Sequence, residues 1–173
     1  DAAAAFGHSA GGVFRLTGTL EESPGGEQLK WNVSNSLAVR EWPGQGAVTD
    51  SGQITLDQTM SGRYDFTQAA LRADSSLTFR QGKTSLGDVS LTFTRTASPD
   101  GTVMDLGVQL QEMTDAALNL MLGKDGAFRF RSAHMSGDVT IHAIGERYDI
   151  RPVFTGQQLQ SVSEQGATPP VDI

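Results

Sequence analysis

Apolar and polar side chains alternate one for one along most of this chain, in runs broken by turns rich in Gly, Pro, Ser and Asp. A period of two is the signature of a strand with one apolar face. "VFRLTGTL" places Phe14, Leu16 and Leu20 on one side. "LKWNVSNSLAV" does the same with Leu29, Trp31, Val33, Leu37 and Val39, and "QITLDQTM" with Ile54, Leu56 and Met60. "EESPGGEQ" and "REWPGQG" break the pattern, and "SGRYDF" predicts a reversal of the chain. Residues 67–73 fit a strand or a single helical turn, with strand the preferred reading. "SLTFRQGKTSLGDVSL" predicts a hairpin whose phase slips near Gly87, where a bulge is expected.

Register tests the second half further. Opposed residues of an antiparallel pair share a face, and a slip by one residue sends apolar groups to the wrong side. A turn at "SPDG" opposes Phe93 to Leu106, Leu91 to Val108 and Val89 to Leu110. A loop centred on Thr114 opposes Leu106 to Leu122, Val108 to Leu120 and Leu110 to Leu118. "GKDG" opposes Leu122 to Phe128 and Leu120 to Phe130. A tight loop at Met135-Ser136 opposes Phe128 to Ala143 and Phe130 to Ile141. Gly145-Glu146 opposes Ala143 to Tyr148 and Ile141 to Ile150. The turns join into apolar rows and predict a six-stranded meander over 88–154.

The expected fold is therefore all-β: an antiparallel meander of about ten or eleven strands, closed or half-closed as a barrel, with a two-sheet β-sandwich as the alternative. The expected organisation is a flexible arm over 1–12, a single β domain over 13–155 and a polar tail over 156–173, which closes with Pro169-Pro170.

Composition narrows the function classes. With 173 residues and 38% hydrophobic content the chain can build a core. Its net charge of −7 argues against nucleic acid as a partner. No apolar run approaches the roughly 18 residues of a transmembrane helix. Absence of cysteine excludes disulfides, thiol nucleophiles and cysteine-based zinc sites. The start, "DAAAA", reads as a mature end after leader removal, so a periplasmic or secreted protein of a bacterial envelope is expected.

Candidate chemistry is sparse. In the expected register the polar face gathers Arg129, Arg131, His142, Asp149 and Arg151, an anion-binding patch or simply a solvated face held by cross-strand pairs. An enzyme would have to work through His142. Motifs of hydrolases, zinc proteases, dinucleotide and phosphate-loop sites are absent, and no cofactor or metal is expected. The other face collects aromatics, among them Trp42 and Phe79. Trp31, Phe66, Phe93, Leu120, Phe128, Phe130, Ile141 and Tyr148 are the candidates to line an apolar interior, filled as core or open to a hydrophobic small molecule or lipid. The expectation is a non-enzymatic, exported barrel-like protein that binds an apolar ligand or carries an envelope component. The alternatives are a structural or interaction module with an envelope protein partner, and a small outer-membrane β-barrel. The barrel is disfavoured because strands of about seven to nine residues fall short of the roughly 9–11 needed to span.

Overall fold

The period-two stretches pair along their whole lengths. In the computed structural model, which describes residues 12–39, 53–122, 129–163 and 166–173, they form one antiparallel sheet. Its strands are β1 (Gly12–Glu22), β2 (Gln28–Val39), β3 (Ile54–Asp65), β4 (Ala70–Gln81), β5 (Thr84–Ser98), β6 (Gly101–Thr114), β7 (Arg129–Ile144), β8 (Arg147–Ser163) and the two-residue β9 (Gly166–Ala167). Among the described residues a single helix, α1 (Asp115–Leu122), lies between β6 and β7. Spatial order equals chain order, so the sheet is a meander throughout.

The sheet is open. Among the described residues β1 pairs with β2 alone, and β8 pairs with β7 and β9. Neither barrel closure nor a second sheet is formed by them. Instead of ten or eleven strands there are eight long ones and a short ninth, because strands run on where reversals were expected. They reach 11 residues in β1 and 17 in β8, which removes the length objection to a spanning barrel. β3 runs on through Ser61–Asp65 of "SGRYDF". The chain turns only after it, where Asp65 Oδ1 accepts hydrogen bonds from the backbone N–H groups of Thr67 and Gln68, each at 3.0 Å. Residues 156–173, expected as a tail, belong partly to the sheet: β8 runs to Ser163, and Leu159 and Val171 bridge.

The predicted pairings Phe93–Leu106, Leu91–Val108 and Val89–Leu110 are present, as are Ala143–Tyr148 and Ile141–Ile150. Between these two hairpins the expectation fails. Residues 115–122 form α1 rather than a strand. "DAALNLML" consists mostly of Ala, Leu and Met, strong helix formers without β-branching, and Asp115 sits in the first turn, where the helix dipole favours an acid. The loop at Met135-Ser136 does not exist either: β7 is one strand of 16 residues. Met and Ser do not favour the positive φ of a tight hairpin turn, and the chain stays extended. Leu106 therefore faces Ile141, not Leu122, and Val108 faces Val139.

Two irregularities shape the packing. The register shifts between Phe79 and Arg80, opposite Gly87, so the bulge expected there is found. Gly87 has φ +135°, and a Cβ on it would stand 2.6 Å from Met113 Sδ. This close approach lets Met113 become fully buried. Its partner irregularity is in β6, where the register with β7 shifts between Leu110 and Met113. Around Met113, Phe79, Leu86, Val89, Ala117, Leu118, Leu120 and Ala133 form the core, with Leu56, Leu77, Leu110 and Phe130 packed at its margin. The core thus lies at one end of the sheet, beneath α1.

Candidate functional site, an uncovered apolar face

Register assigns each strand residue to a face. One row across the sheet runs Leu20, Trp31, Gly62, Ala73, Phe93, Leu106, Ile141, Ile150. The next, toward α1, runs Gly18, Val33, Met60, Ser75, Leu91, Val108, Val139, Pro152. The row on the far side runs Glu22, Leu29, Tyr64, Leu71, Arg95, Met104, Ala143, Tyr148. Apart from Glu22 and Arg95 these rows carry no charge. The same face bears Val89 and Phe79 further along, where α1 packs on it.

Among the described residues outside the sheet, α1 alone forms a core on this face, and only at that end. Elsewhere the face meets solvent: Leu20 is 70% exposed, Tyr148 74%, Ile150 52% and Leu16 59%. Trp31, Phe93, Leu106 and Ile141 are half-buried, shielded only by their neighbours. Trp31 lies close enough over Gly62 that any Cβ there would strike its indole, which smooths the surface between β2 and β4. Eight strands at about 4.8 Å and three rows at about 6.6 Å give the rows a footprint of roughly 38 Å by 20 Å. Some polarity is set within the face, and it is satisfied internally: Asn35 Nδ2 donates to Gln58 Oε1 at 2.9 Å, and Gln58 Nε2 to Ser75 Oγ at 3.2 Å.

Of the eight residues expected to line an interior, Trp31, Phe93, Ile141 and Tyr148 share this uncovered face. Leu120 and Phe130 belong to the core at the helix end. Phe66 lies in the β3–β4 turn, edge-on to Tyr64 with ring centres 4.9 Å apart, and is 54% exposed. Phe128, with Trp42 and His8, lies outside the described residues. Hollow or filled was the alternative from sequence; the face is filled at one end and bare at the other.

The expected polar patch is only partly assembled. His142 faces Asp149 across β7–β8, and Arg151 binds Asp149 Oδ2 from Nε at 2.8 Å. Arg129 and Arg131 are not beside them. They lie 13 and 11 positions earlier on the same long strand, roughly 35–45 Å away at about 3.3 Å per residue. The neighbour that sequence reasoning missed is Asp105, whose Oδ1 lies 2.6 Å from His142 Nδ1. This hydrogen bond is the main reason that the Asp105 carboxyl is held below its ordinary range; desolvation opposes it, and the His142 charge and Thr94 hydroxyl add to it. Helix propensity in 115–122 was the signal that could have placed β6 beside β7. The cluster pairs its own charges on an exposed face, and His134 with Glu112 forms a second such pair. Among the described residues no group of three or more His, Asp or Glu could hold a metal ion, and no helix is long and apolar enough to cross a membrane. Comparison of the chain with protein-family models, curated proteins and solved structures finds no match.

Proposed function

We propose that this is a non-enzymatic protein of the cell envelope or secreted space that binds an apolar ligand, a lipid or another hydrophobic molecule, on the uncovered face of its sheet. One observation carries the reading: three apolar rows lie open to solvent beside an end that α1 closes with a well-packed core. A surface of this size costs free energy in water, at about 25 cal/mol per Å² of apolar area, and a bound hydrophobic molecule removes that cost. On the polar face Asp57, Asp88, Asp105 and Asp149 are each engaged by a neighbouring hydroxyl, imidazole or guanidinium group. Titration with anilinonaphthalene sulfonate, followed by displacement with a fatty acid, tests it. Saturable uptake that weakens in Phe93→Glu is expected; no saturable uptake would sink the reading.

A second reading rests on the outer edge of β1, which no described strand covers, eleven residues without proline that can accept a partner strand. It makes the chain an interaction module, and the partner an envelope protein. A photocrosslinker at Thr17 would then trap a discrete partner in cells; crosslinks to none would remove this reading. A small outer-membrane barrel is weaker, because a spanning sheet must leave no unpaired edge in lipid.

A further inference from the structure

Among the described residues, the uncovered rows carry a single cation. Strand alternation sends Arg15, Lys30, Arg63, Arg72, Arg147 and Arg151 to the polar face, each next in sequence to a residue of the apolar face. Arg95 breaks this rule. It stands between Leu71 of β4 and Met104 of β6, two positions beyond Phe93, and it is exposed. None of the ion pairs among the described residues includes it. The one acid of the same row, Glu22, is four strands away, roughly 19 Å at about 4.8 Å per strand. Among the described residues Arg95 is thus a guanidinium without an ion-pair partner on an apolar surface, at the end opposite α1.

The strip between Arg95 and the helix has a definite length. From Arg95 to Val89, where the core begins, is six residues along β5, about 20 Å at roughly 3.3 Å each. An acyl chain spans about half of a bilayer's ~30 Å hydrocarbon core, so roughly 15 Å. One such chain fits along the strand direction, with α1 closing the far end and Arg95 at the near end. A guanidinium presents a fork of donors suited to carboxylate or phosphate oxygens.

We infer that the ligand is an anionic amphiphile of one-chain width, its apolar tail laid toward α1 and its acidic headgroup held by Arg95. The inference rests on the proposed binding of an apolar ligand to this face and adds orientation and charge to it. Carboxylate and phosphate headgroups share the required chemistry.

The test uses cis-parinaric acid, whose fluorescence rises in apolar surroundings, and its neutral methyl ester. The wild-type protein is expected to bind the acid about tenfold more tightly, the effect of one charge-assisted hydrogen bond. Arg95→Gln is expected to abolish that preference while the ester binds as before, Arg95→Lys to retain part of it, and Lys30→Gln on the polar face to leave it unchanged. Displacement of the acid by lysophosphatidate or by palmitate then tells which headgroup is preferred. Equal binding of acid and ester, or a preference that survives Arg95→Gln, would overturn the role of Arg95 and leave apolar binding standing. Saturable uptake of neither probe would overturn both.

Discussion

Asp105 and His142 meet across β6 and β7 at 2.6 Å, yet both are about half exposed. Such a pair sets a pH response more than a level of stability. The Asp105 carboxyl binds fewer protons folded than unfolded, because His142 donates to it. Its contribution is therefore complete above about pH 5 and is lost as pH falls through the lower, folded value. Asp65 acts in the same window, held down first by the Thr67 hydroxyl and then by the Gln68 backbone N–H. Thermal melts followed by circular dichroism are expected to show the wild-type protein losing stability between about pH 5 and pH 3, and Asp105→Asn losing less over that range. Parallel declines would mean that the pair does not contribute.

At the scale of elements, α1 is the part that least resembles its prediction. Leu118, Leu120 and Leu122 also fit a period of two, so apolar spacing alone did not separate strand from helix over so short a stretch. Propensity did carry the answer, in Ala116, Ala117, Leu118 and Leu120. Placing a strand there then forced a false loop at Met135-Ser136, and the error separated His142 from Asp105 while bringing in Arg129. The hairpins at Pro99-Asp100 and Gly145-Glu146 were legible because turn chemistry and facing pairs agreed. What holds α1 in place was not legible: Asn119, buried, donates to the Phe130 carbonyl and accepts from the Phe130 N–H, each at 2.8 Å. Two side-chain to backbone bonds of about 1 kcal/mol each bind helix to β7, so Asn119→Ala is expected to lower stability by about 2 kcal/mol in urea denaturation.

For the whole molecule, exposed apolar area and open edges both favour self-association. The outer edge of β8 from Arg147 to Thr155 carries two arginines, Asp149 and Pro152, the charges and proline that discourage edge-to-edge pairing. Pro152→Thr is expected to raise self-association, measured by sedimentation velocity at increasing concentration; an unchanged monomer would show that the edge is protected otherwise. That the chain would be all-β with one apolar face was readable from its alternation. That the face would be half covered was not, since coverage depends on one short helix and on strands too long to reverse early.

Pairing only between sequence neighbours has a mechanical consequence. A sheet of this kind has no long-range staple between its first and last strands, so each interface can open without the next. Tension applied to the two ends of the chain would peel it strand by strand, as a zipper opens, rather than shear it all at once. Among the described elements α1 touches three strands, β5, β6 and β7, so the last segment to yield is the one that holds the core.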